Sequence, residues 1–145
     1  PLSGIVPGSY HTISRTWIAG DRLDISLDMS LHLWAGEKEC RGKTSVYRGP
    51  VLLTYDRRLN ERDPRDIPVL DGRSLKCRLL KNEERLPTVV KVKLSDGEGQ
   101  HLTLCDFGSA GEAGSPYISW LRARKVRKTP FTRENPLRSS RQATG

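Results

Sequence analysis

Apolar and polar residues alternate along most of this chain in short runs, and Gly, Pro, Asn or Asp breaks the runs at short intervals. A period of two puts successive side chains on opposite faces of an extended strand, whereas a helix needs apolar positions three or four apart, which are hard to find here. The pattern predicts a β protein whose short strands are joined through tight turns. Arg22 to Met29 alternates most cleanly, with Leu23, Ile25, Leu27 and Met29 on an inner face and Arg22, Asp24, Ser26 and Asp28 on a wet one. The same phase carried forward points Leu31 and Leu33 inward and His32 and Trp34 outward. Upstream, Tyr10 to Ile18 is a further strand candidate in which Trp17 joins Ile13 in the core, and Ala19-Gly20-Asp21 is the turn that follows it.

Lys43 to Arg48 and Val51 to Asp56 read as two more strands, with Gly49-Pro50 between them marking a bulge or an edge, because Pro cannot donate to a central ladder. Glu61 to Pro68 is a loop by composition, and weaker strands are expected near Pro68 to Leu70 and Leu75 to Leu80. Val89 to Leu94 and Gln100 to Phe107 flank Ser95-Asp96-Gly97-Glu98-Gly99 and form a hairpin. Gly108 to Pro116 is a loop of small residues, and Tyr117 to Leu121 closes the set with Tyr117, Ser119 and Leu121 on one face. Nine or ten short strands predict an all-β fold, a two-sheet antiparallel β-sandwich of the jelly-roll kind. Leu, Ile, Val and Phe supply 34 of 145 residues, above the roughly 20% below which a highly charged chain stays disordered.

The formal net charge of +8 invites a nucleic-acid reading, but its distribution argues otherwise. From Arg122 to Gly145 eight basic residues stand against Glu134 alone, so the remaining 121 residues are nearly neutral. The expected division is a β-sandwich over residues 1–121 and a basic mobile tail over 122–145, with nucleic acid not an expected partner. No apolar run approaches the roughly 18 residues of a membrane span, and the first residues show no secretory leader, so no membrane partner and a cytoplasmic location are expected. The chain begins at Pro1 rather than Met, which points to a processed product or a piece of a longer protein.

Cys40, Cys77 and Cys105 are widely separated and odd in number, which argues against a disulfide framework. His11, His32 and His101 lack the spacing that aims two imidazoles at one metal from a single element, so neither a metal nor another cofactor is expected. No Gly-x-Ser-x-Gly elbow and no Gly-x-x-x-x-Gly-Lys loop occurs, and no carboxylate pair stands out for acid–base work. Asp106 is in phase with Leu102 and Leu104, which predicts that it points inward and accepts hydrogen bonds from N–H groups of the 108–114 loop. Trp120 reads as core or interface. Trp34, placed outward, is either an interface residue or a ligand platform, and His32, Asp106 and Ser109 join it as candidate interface or glycan contacts.

The segment Gly8-Ser9-Tyr10-His11-Thr12-Ile13-Ser14-Arg15-Thr16-Trp17-Ile18-Ala19-Gly20-Asp21-Arg22-Leu23, followed by Leu27-Asp28-Met29, resembles the start of the C-terminal β-sandwich region of glycoside hydrolase family 127, the β-L-arabinofuranosidase-like proteins. Val46-Tyr47-Arg48-Gly49-Pro50-Val51-Leu52-Leu53 is similar to an Arg-Gly-Pro-Leu stretch later in that region, and Leu104 to Gly111 with Tyr117 to Leu121 to a late segment. Asp28 stands where many relatives have Pro. In that family the catalytic glutamates and the cysteine-rich zinc site lie in an α/α barrel that precedes the sandwich, and no part of the barrel is found here. The resemblance therefore implies a non-catalytic accessory domain that packs on and supports such a barrel, and it assigns no catalytic residue to this chain. The competing expectations are an independent carbohydrate-binding module for arabinose-containing glycans, a polyanion binder acting through the tail, and an autonomous hydrolase.

Overall fold

The Gly49-Pro50 dipeptide is the turn of the hairpin on which the sheet is assembled, not a bulge within it. Residues 4–6, 9–81 and 90–127 are described by a computed structural model. Among them nine strands are present: β1 (Leu31–Ala35), β2 (Lys43–Arg48), β3 (Val51–Asp56), β4 (Leu70–Asp71), β5 (Lys76–Leu79), β6 (Lys91–Ser95), β7 (His101–Asp106), β8 (Tyr117–Ile118) and β9 (Leu121–Arg124). The only helical elements among the described residues are three-residue 3-10 turns, so the chain is all-β. Arg48 faces Val51 across the Gly49-Pro50 turn, where Gly49 takes a φ of +55° and donates its N–H to Ser30 O at 3.0 Å. A Cβ at Gly49 would lie 2.6 Å from Met29 Sδ and 2.8 Å from Asp28 O, so conformation and close approach both require glycine there.

Hydrogen bonds join all nine strands in one sheet of order β4-β9-β2-β3-β7-β6-β5, with β1 also on β2 and β8 also on β3. The described strands follow one continuous hydrogen-bonded path, and the expected antiparallel pairing holds everywhere except between β4 and β9, which run parallel. The β6–β7 hairpin has the expected form, Ser95 facing His101 and Asp96 donating to Gln100 O. Strands β2 and β3 splay after their turn, and the last strands fill the gap: β8 pairs with the end of β3 and β9 with the start of β2. This change of partner resets the alternation, so Ile118 and Leu121, three apart, both pack on the core while Tyr117 is exposed. The core gathers Val46, Leu53, Leu70, Leu94, Leu104 and Leu121, with Tyr55 donating its hydroxyl to Arg62 O at 2.7 Å. Thr54 and Cys105, on the opposite face of β3 and β7, are also fully buried.

The boundary expected after Leu121 falls inside a strand. Arg122 sits in β9 and donates to Ile67 O at 2.8 Å, and Lys125 reaches Asp71 at 2.7 Å, so the first part of the basic segment belongs to the folded body. Residues 128–145 of the expected tail lie outside the described residues.

The chain divides into two units, one of residues 27–129 that holds the sheet and a second whose described residues are 4–6 and 9–26. In the second, the predicted turn is present: Asp21 donates to Ile18 O at 3.1 Å, and its carboxylate accepts from Ile18 N and from Arg15, whose guanidinium lies 4.9 Å from the Trp17 ring centroid. Neither Tyr10 to Ile18 nor Arg22 to Met29 forms a ladder. Trp17, expected in the core, is 51% exposed, and Leu23, Ile25 and Leu27, expected inside, are 51, 75 and 59% exposed. Alternation supplies an apolar face, but a strand also needs a neighbour for its backbone groups, and none of the described strands offers one.

Candidate functional site

Two strand-end aspartates hold the 107–116 loop. Asp106 ends β7 and caps the following 3-10 turn, Phe107–Ser109: Oδ1 accepts from Ser109 N at 3.0 Å, and Ser109 Oγ lies 2.8 and 2.9 Å from its two oxygens. Oδ2 accepts in addition from Val90 N at 3.0 Å. Asp56 ends β3 and caps Arg57–Leu59 in the same way. An aspartate at a strand end accepts readily from N–H groups two or three residues on, so both turns are local consequences of the sequence.

The rest of the Asp56 site is tertiary. Its side chain is fully buried and accepts from Arg58 Nε at 3.1 Å and Nη2 at 3.0 Å, from Gly111 N at 2.8 Å and from Ser115 Oγ at 2.7 Å. Arg58 continues outward to Glu112 Oε2 at 2.7 Å and to Ser109 O at 2.6 Å. Burial by itself would raise the Asp56 carboxyl, but the donors from Arg58, Gly111 and Ser115 outweigh it and hold the group at about 2. The hydrogen bond to Asp56 in turn raises Arg58 above its usual value. Gly111 takes a φ of +77°, and a Cβ there would stand 2.6 Å from Tyr117 Cε1, so the Tyr117 ring rests on the loop backbone. Phe107 and Tyr117, each about half exposed, meet edge to face with centroids 6.1 Å apart.

Asp56, held at about 2, is far from the working pH that a general acid or base needs, and it and Asp106 each accept hydrogen bonds from the 107–116 loop. Both are spent on holding the loop. Burial, followed by the charges of Asp56 and Asp106, pushes the Cys105 thiol up to about 11, and burial raises Cys77 too, so neither is an activated nucleophile. All three cysteines are unbridged. Among the described residues no group of three or more His, Cys, Asp and Glu side chains could hold a metal.

Of the residues singled out from sequence, Asp106 and Ser109 are brought together, and Asp106 is buried with the loop-holding role its phase predicts. His32 and Trp34 lie apart from them on β1. His32 stacks on Tyr47 of β2 with centroids 5.2 Å apart, and Trp34 is half buried, its carbonyl accepting from Thr44 Oγ1. Trp120 is also half buried. Sequence reasoning missed the Asp56–Arg58–Glu112 chain. Its local half was readable from the strand-end Asp of Tyr55-Asp56-Arg57-Arg58, but its link to Glu112 spans 54 residues. Comparison of the chain with protein families, curated proteins and solved structures finds no match.

Proposed function

We propose that this chain is a non-catalytic accessory β-domain of a larger glycoside hydrolase of the β-L-arabinofuranosidase-like kind, packing on and supporting a catalytic α/α barrel that lies outside it. The observation that carries this reading is the run from Trp17 to Leu27, where Trp17, Ile18, Leu23, Ile25 and Leu27 are all more than half exposed. Exposing that much apolar surface on one short stretch is costly, and covering it against another domain recovers about 25 cal/mol per Å². The stretch overlaps the segment, Gly8 to Leu23 with Leu27 to Met29, that resembles glycoside hydrolase family 127. The commitment of Asp56 and Asp106 to loop hydrogen bonds agrees with a supporting rather than a catalytic role.

Blotting a lysate of the source with an antibody raised against this chain tests the proposal. A band several times longer than 145 residues is the expected result, and a band of 16.3 kDa overturns it. Turnover of an aryl arabinofuranoside by the purified chain would overturn the non-catalytic half. One observation favours a second reading, an independent module for arabinose-containing glycans: the half-exposed Phe107–Tyr117 pair offers aromatic surface of the kind on which sugar rings stack. Heat on titrating arabino-oligosaccharides into the purified chain would favour it.

A further inference from the structure

A groove of about 540 Å³ opens on another part of the sheet unit, between β1 and the β4–β5 turn, with the residues that follow β9 at its side. Its size lies within the range of small-molecule sites. Leu31, Leu33 and Leu75 give it an apolar lining, and all three pack against the core below. His32 also lines it and is held in place by stacking on Tyr47. The opposite wall is closely packed: Gly72 donates its N–H to Arg124 O at 2.9 Å, and a Cβ at Gly72 would come within 2.8 Å of Val126 Cγ2.

Three cations line this groove, Arg73, Lys125 and Arg127. Lys125 is neutralised by Asp71 at 2.7 Å, a carboxylate that also faces Arg124 at 4.0 Å. Asp28, whose carboxyl is held below its usual value first by the Ser30 N–H and in lesser part by the nearby His32, turns its Oδ1 to Ser30 N at 2.9 Å. Among the described residues neither the Arg73 nor the Arg127 guanidinium has a hydrogen-bonding or acidic partner. A guanidinium presents a planar fork that matches a carboxylate, and two unpaired forks beside an apolar floor are complementary to a ligand with an oxyanion on one side and a hydrocarbon face on the other.

We propose that the groove binds an acidic sugar of the uronic acid class. Arg73 and Arg127 take the carboxylate, and the leucine floor takes the C–H face of the ring. The choice of a sugar over other carboxylates rests on the accessory-domain reading above; the anion preference rests on the groove alone.

The test is titration of the isotope-labelled 145-residue chain, followed by amide NMR, with glucuronate, with glucose as its uncharged counterpart, and with inorganic phosphate as an anion that has no ring. Glucuronate is expected to shift the amides of His32, Gly72 and Arg73 in a saturable way, with glucose and phosphate each weaker by about tenfold or more. The exposed double variant Arg73→Gln/Arg127→Gln is expected to lose about tenfold in glucuronate affinity with an unchanged melting temperature, while Arg41→Gln, outside the groove, leaves binding intact. Glucose binding as tightly as glucuronate, phosphate binding as tightly as glucuronate, or an affinity indifferent to the double variant each overturns the proposal. Binding of heparin without glucuronate would assign the cations to a polyanion and overturn it as well. The accessory-domain reading fails on the size of the native band, so the two failures are distinguishable.

Discussion

Arg22 to Met29 and His101 to Asp106 carry the same kind of pattern and end in opposite states. The first alternates over eight residues, yet Leu23 and Ile25 are more than half exposed and no ladder forms; the second is shorter, yet Leu102 and Leu104 are 4 and 0% exposed. The difference lies in the neighbours. β7 has β3 on one side and β6 on the other, so its backbone groups are paired as its side chains are buried. Residues 22–29 have no such flanks among the described strands. An apolar face and a paired backbone are separate requirements, and only the first is written in the pattern.

The contrast is sharpest in core truncation. Leu104→Ala should cost about 2–5 kcal/mol in urea denaturation, since it removes buried methyl groups and leaves a cavity in the middle of the sheet. The matched change Leu23→Ala should cost the isolated chain less than about 0.5 kcal/mol, as for other exposed positions. Equal costs would break the comparison and place residues 22–29 in a buried strand.

A second contrast concerns buried charge. Asp56→Asn removes the charge that Arg58 and the loop donors surround, and should cost about 2 kcal/mol, less than for a fully buried pair because Arg58 is partly exposed. The same group gives the protein an acid limb. Its folded pKa of about 2 lies below the usual 3.8, so its stabilisation is complete above about pH 4 and is lost as pH falls through about 2. Urea midpoints measured from neutral pH to pH 2 should therefore fall, and more steeply in the wild type than in Asp56→Asn; parallel curves would show that Asp56 contributes nothing.

The smallest effect in the isolated chain is the most informative for function. Ile25→Ser should leave the melting temperature of the 145-residue chain within about a degree, as surface changes do. In the longer protein that the proposed function requires, the same change should lower it measurably, because the side chain would then lie in an interface. An unchanged longer protein would remove Ile25 from any contact.

Much of the sheet was legible. Lys43 to Arg48 and Val51 to Asp56 are strands with the predicted ends, the β6–β7 hairpin forms around its two glycines, and Asp106 points inward as its phase with Leu104 requires. These are properties of a period of two and of turn residues, which act within a few positions of one another. Gly49-Pro50 was read as a bulge or edge because proline excludes a central ladder, and that constraint alone does not separate a turn from an edge. The site was half legible, since each capping aspartate bonds within three residues of itself.

The phase and ends of the strands that form were thus set by local alternation and by Gly, Pro and Asp at their ends. Which of them pair, that all nine share one path, that β4 runs parallel to β9, and that Arg58 joins Asp56 to Glu112 were decided only when distant segments met. Side-chain period is a property of one segment, whereas a ladder, a buried charge pair or a groove between strands is a relation between two, and its energy exists only once the chain has closed on itself.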